Sequence, residues 1–125
     1  MMTIQELYTA IDGNYESAKR ILQMDRLIEK FIIRLLDDKS FEKLQQARQS
    51  MDPTLLFEAA HAMKGVLANL GLDNLSAMAS VVAEEFRPGK SRTMNDDDLN
   101  EHLTKLAQKF TATVQAIQGF VNAGK

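Results

Sequence analysis

Apolar residues recur at helical spacing along this chain, and the residues that break helices fall between those runs rather than inside alternating stretches. Only 6 glycines and 2 prolines punctuate the 125 residues. That pattern predicts an all-α fold. A first helix, Thr3 to Ile11, is expected to stop at Asp12-Gly13, where glycine takes the left-handed conformation, and Asn14 then caps a short helix from Tyr15 to Leu22. From Asp25 to Asp37 the residues Leu27, Ile28, Phe31, Ile32, Leu35 and Leu36 keep i, i+3, i+4 spacing, and Ile33 widens the stripe. Ser40 is the expected cap of the next helix, marked by Phe41, Leu44, Ala47 and Met51.

Asp52-Pro53 is the strongest boundary signal. Aspartate accepts from the free N–H groups of a helix start, and proline at the first helical position has no N–H to leave unpaired. The helix that begins there should run to Leu70 and stop at Gly71. Asp73 or Asn74 is expected to cap the following one, whose Leu75, Met78, Ala79, Val82 and Phe86 share a face until Arg87-Pro88-Gly89 ends it. Asn95 then opens a long last helix bearing Leu99, Leu103, Leu106, Phe110, Val114, Ile117 and Val121. The acidic run Asp96-Asp97-Asp98 suits the positive end of a helix dipole and needs no cation to explain it. The expected architecture is an antiparallel up-and-down four-helix bundle spanning about residues 22–121 of a single domain, 1–125, with a short N-terminal helical cap over 1–22.

Composition narrows the chemistry. With 0 cysteines there is no disulfide framework, thiolate nucleophile or cysteine zinc site. A net charge of −2 gives no attraction for a phosphate backbone, so no nucleic-acid partner is expected. The densest apolar patch, Phe31-Ile32-Ile33, is cut by Arg34 far short of the roughly 20 residues of a membrane span. No membrane association is expected, the N-terminal residues lack the pattern of a secretory signal, and the expected location is cytoplasmic.

The helix from Pro53 to Leu70 carries one residue that does not belong to its core. At about 100° per residue, Leu56, Ala59, Met63, Val66, Leu67 and Leu70 cluster within about 60° of the pole opposite His61. His61 therefore faces outward, beside Phe57, Lys64, Gly65 and Ala68 at i−4, i+3, i+4 and i+7. Glycine inside a helix costs about 1 kcal/mol relative to alanine, and a surface that must come close to the histidine is a reason to accept it. Phe57 puts an apolar ring on a face otherwise suited to water, as a docking surface would, and Lys64 carries a flexible cation within reach of an anionic group on the imidazole. A neutral imidazole attacks phosphorus through a ring nitrogen without a separate base.

The run Ala60-His61-Ala62-Met63-Lys64-Gly65-Val66-Leu67-Ala68-Asn69-Leu70-Gly71 resembles the H-x-x-K-G signature of histidine-containing phosphotransfer (HPt) domains, with the A-N-L-G ending that follows it in that family. The likeness covers roughly Leu22 to Val121. It implies that His61 is phosphorylated, that Lys64 steadies the phosphoryl oxygens, and that Gly65 leaves room for a partner. It implies further that the partner is a response-regulator receiver domain, whose aspartyl phosphate exchanges with His61 in a two-component phosphorelay. The chain itself would then be a phosphoryl carrier with no cofactor, Mg²⁺ being bound by the receiver. Nothing resembles a kinase or nucleotide-binding motif. One departure is visible: many members have small hydroxyl residues after the glycine, whereas Val66-Leu67 stand here, and the wheel turns both inward.

Two other readings use the same residues. A receiver-docking adaptor would hold the partner without phosphotransfer, although such a face has no need of a histidine. A metal-binding helical bundle enzyme would use Glu58-x-x-His61, the E-x-x-H spacing of di-iron bundles. It needs a second such pair, and the other histidine, His102, has Leu99 three residues before it. His102 lies at the edge of the last helix's core face and is expected to be structural or idle.

Overall fold

Side-chain caps begin most of the helices of the computed structural model, which describes residues 2–124; Met1 and Lys125, the two ends of the expected domain, lie outside the described residues. The helices are α1 (Ile4–Ala10), α2 (Tyr15–Leu22), α3 (Asp25–Arg34), α4 (Ser40–Ser50), α5 (Pro53–Asn69), α6 (Asp73–Glu85) and α7 (Asp96–Ala123). There is no strand among the described residues, and the fold is an all-α bundle. Thr3 and Glu6 form a reciprocal capping box on α1. Asn14 caps α2, Asp52 accepts from the N–H groups of Thr54 and Leu55, and Asn95 accepts from Asp98, as their residue types predict.

Four local expectations are corrected. The left-handed residue after α1 is Asp12, with φ 57°, rather than Gly13. Gly13 is glycine for a different reason: a Cβ there would lie 2.8 Å from the Tyr8 ring. Ser40 does not cap α4 but is its first residue, and its N–H and hydroxyl both donate to Asp38. Neither Asp73 nor Asn74 caps α6. Asp73 accepts from Asn14 at 3.0 Å and Asn74 donates to Asp12, so both tie α6 to the α1–α2 turn. The helix expected over Asp25 to Asp37 tightens into a 3₁₀ turn at Leu35–Asp37.

Helices α4, α5 and α6 follow one another through short turns, a longer loop over 86–95 leads into α7, and the four close into an up-and-down ring. Packing of α5 against α4 and α6, and of α6 against α7, is the most extensive in the molecule. Long side chains complete the fourth side: Phe41 stacks on Phe110 with centroids 4.3 Å apart, and Arg48 donates to the Asn100 carbonyl at 3.0 Å and to the Thr104 hydroxyl at 2.8 Å. These contacts run α4 antiparallel to α7. The interior is filled by Leu44, Leu56, Met63, Leu75, Leu99 and Leu103, all essentially without solvent exposure. Each contributes about 1.5–3 kcal/mol by leaving water.

The N-terminal helices cover the end of this ring where α5 stops. Helix α3 packs on α7 as well as on α1 and α2, so the layer over α7 includes it along with the cap expected over residues 1–22. The buried Tyr8 hydroxyl donates to the Leu70 carbonyl at 2.7 Å, and burial pushes its phenol well above the usual range. Gly71, at φ +70°, lets the chain turn against Asn14, whose N–H donates to the Gly71 carbonyl at 2.7 Å; a Cβ at Gly71 would lie 2.4 Å from the Asn14 carbonyl oxygen. No side chain fits there.

At the other end of the ring Glu85 anchors the α6–α7 loop. It is buried, and it accepts from the N–H groups of Thr93 and Met94, each at 2.9 Å, and from the Thr93 hydroxyl. The Thr93 hydroxyl is the main cause that holds its carboxyl below the usual range, against an opposing effect of burial. A carboxylate with a lowered folded-state pKa stabilises the fold above its unfolded-state value, and that contribution fades as the pH falls through the lowered one. Glu85→Gln is expected to cost about 2 kcal/mol at neutral pH in urea unfolding. The deficit should shrink below about pH 4; an equal deficit at neutral and acid pH would contradict the loop anchor.

Candidate functional site

Helix α5 is two-sided. Leu56, Ala59, Ala60, Met63, Leu67 and Leu70 are buried, whereas His61, Ala62, Gly65, Ala68 and Asn69 are exposed. The wheel prediction holds for His61 and its stripe with one adjustment. Val66, expected to point inward, is half-buried at the seam between α5, α4 and the N-terminal helices, and Leu67 alone of that pair is fully buried. The backbone at the site is held by its neighbour, because the Ser76 hydroxyl of α6 donates to the Lys64 carbonyl at 3.0 Å.

The structure brings Phe57, His61, Lys64, Gly65 and Ala68 onto one outward ridge. Lys64 is half-buried, and among the described residues no carboxylate lies within ion-pairing distance of its ammonium. A Cβ added at Gly65 would meet nothing within 4 Å. Among the described residues nothing therefore requires glycine at that position, and its helical cost has no compensation there. Phe57 is half-buried rather than standing free: its ring stacks on the His61 imidazole with centroids 5.4 Å apart and planes 17° apart.

A residue from another element joins the ridge. Arg87, just beyond α6, places its guanidinium carbon 5.9 Å from the Phe57 ring centroid. It is held by Glu84 through Nε at 3.1 Å and Nη2 at 2.5 Å. Arg87 beside Glu84 holds that carboxyl below the usual range, and the charges of Lys90 and Lys64 act in the same direction. Three cations, Arg87, Lys90 and Lys64, thus act on the Glu84 carboxylate beside the ridge, and Glu58 on α5 is exposed. Sequence alone shows Arg87 only as a loop residue; its i+3 relation to Glu84 is the sole local sign of a fixed side chain.

The other histidine is structural. His102 is half-buried, and its Nε2 lies 2.8 Å from the Met78 carbonyl oxygen. Among the described residues no group of three or more histidine, aspartate or glutamate side chains is placed to hold a metal ion. Among the described residues Glu58 and His61 are not joined by the further carboxylates and histidine that a di-iron arrangement needs. Among the described residues no helix is long and apolar enough to cross a membrane.

Comparison with protein families gives a match to the Hpt domain over residues 16–118, which includes every residue of the ridge. No curated protein and no solved structure matches the chain.

The open space at Gly65 makes a direct expectation. Gly65→Ala should raise stability by about 1 kcal/mol, which is about 4 °C in the thermal midpoint for a chain of this size. A lowered midpoint would show that the glycine serves the fold.

Proposed function

The chain belongs to the Hpt domain family, and from that premise we propose that His61 accepts and donates the phosphoryl group in exchange with the aspartate of a response-regulator receiver domain. Hpt domains are phosphocarrier modules that serve histidine phosphotransfer in two-component systems and interact with receiver domains. The observation that carries the assignment to His61 is its exposed imidazole on the face of α5 opposite a buried stripe, one turn from a glycine that nothing among the described residues requires.

The chemistry follows from the imidazole. The lone pair of one ring nitrogen attacks the phosphorus of the receiver's aspartyl phosphate. An N–P bond forms while the P–O bond to the carboxyl breaks, and its electron pair stays on the departing carboxylate. The second ring nitrogen releases its proton to water, leaving a neutral phosphoimidazole ring. Reversal of these steps returns the phosphoryl group to an aspartate. Little covalent work is required of the protein, since such transfers depend on in-line positioning and charge neutralisation.

Lys64, without a competing ion pair among the described residues, supplies a cation for the phosphoryl oxygens, and Gly65 and Ala68 keep the helix surface low where the receiver approaches. Mg²⁺ is assigned to the receiver. The same reading carries the cytoplasmic location expected from the sequence.

The test uses a receiver domain charged with acetyl phosphate in the presence of Mg²⁺. The chain should acquire an acid-labile, alkali-stable phosphate, and His61→Gln should abolish it while helical content is retained. Labelling of His61→Gln would overturn the assignment. Lys64→Ala is expected to slow transfer about tenfold at saturating receiver; an effect on docking alone would contradict its role.

A further inference from the structure

An imidazole on a bare helix surface is free to exchange among rotamers. His61 is not bare. Phe57 covers one face of its ring at 5.4 Å with the planes 17° apart, and Phe57 is itself packed against the core from a half-buried position. On its side Phe57 meets the Arg87 guanidinium at 5.9 Å, and Arg87 is tethered by two donated hydrogen bonds to Glu84. The contacts therefore form a chain, Glu84 to Arg87 to Phe57 to His61, that links α6 to the ring. Burial of Glu85 beside this tether and its bonds to Thr93 and Met94 fix the loop that begins at Arg87.

The geometry of stacking gives this chain a chemical consequence. A stacked neighbour occupies the π face of an imidazole, whereas the lone pair that attacks phosphorus lies in the ring plane and points outward from its edge. Covering the face leaves that direction open and removes the freedom of the plane to tilt. In-line transfer is sensitive to such tilting.

We propose that Phe57 is a positioning residue for the phosphoryl acceptor, fixing the plane of the His61 imidazole, and that Arg87, held by Glu84, braces Phe57. The inference rests on His61 being the acceptor. It gives Phe57 a part beyond the docking surface that its apolar character suggests, and it gives Arg87 a part in transfer without contact to phosphate. Both residues act through His61 and touch no reacting atom.

The experiment has one arm that needs no partner. In the free chain, ring-current displacement of the His61 ring-proton NMR signals reports the stack. It should be present in the wild type and in Phe57→Tyr, and diminished in Arg87→Gln. Equal displacement in the wild type and Arg87→Gln would overturn the brace. The second arm measures single-turnover transfer from a receiver domain charged with acetyl phosphate, over a range of receiver concentration. Phe57→Leu keeps apolar volume but loses the stack. It should be about fivefold slower at saturation, with its half-saturating concentration within about twofold of the wild type. Phe57→Tyr should restore the rate, and Arg87→Gln should lie between. A wild-type rate in Phe57→Leu at saturation would overturn positioning. So would a loss confined to the half-saturating concentration, which is the mark of a docking residue. Failure of the wild type to take phosphate at all would overturn the acceptor assignment instead, and the imidazole signals separate that outcome from failure of the stack.

Discussion

Burial of one side of α5 between α4 and α6 is the constraint on which the rest of the molecule depends. Leu56, Met63 and Leu67 fill the interior, while Ala59 and Ala60 let the neighbouring helices come close. The buried stripe fixes rotation of the helix about its axis, and so dictates which residues meet water. A rotation that exposed Met63 or Leu67 would forfeit about 1.5–3 kcal/mol for each, far more than any surface contact of His61 could return. The outward direction of the imidazole is thus a product of core packing.

The ends of α5 are held as firmly as its side. Asp52 and Pro53 set its start, while Tyr8, Asn14 and Gly71 lock its finish to the N-terminal helices. Ser76 holds the middle by bonding to the Lys64 carbonyl. A phosphoryl carrier benefits from this arrangement because transfer depends on how the acceptor is positioned. What it supplies is one nucleophile, one nearby cation and an unobstructed approach, and each loses its value if the helix that carries them moves.

Much of this was legible in the sequence. Helical spacing, the Asp52-Pro53 start, the Gly71 stop and the Asn95 cap are local signals, and local interactions decide them in the structure too. The face of His61 was legible because a long helix with a clear stripe has only one way to turn. Misreadings arose where a tertiary partner outcompeted a local one. Asp73 and Asn74 have the character of caps, yet they bond Asn14 and Asp12 across the fold. Gly13 reads as a left-handed stop, but Asp12 takes that conformation and the glycine serves the approach of Tyr8. Beside Val114, which packs half-buried against the core, Thr113 of α7 is buried as well, its hydroxyl satisfied by the Lys109 carbonyl one turn back. Arg87 was invisible as a member of the site, since only folding brings the end of α6 beside Phe57.

The central claim is that this chain carries phosphate on one outward imidazole and not on the other. The most direct measurement is ³¹P-coupled ¹H–¹⁵N NMR of the imidazole nitrogens after charging from a phosphorylated receiver. His61 is exposed, whereas His102 is half-buried with Nε2 engaged at the Met78 carbonyl. A phosphorus–nitrogen coupling should therefore appear on a single His61 nitrogen, with the His102 signals unchanged. Coupling on His102, or phosphate retained with neither imidazole coupled, would contradict it.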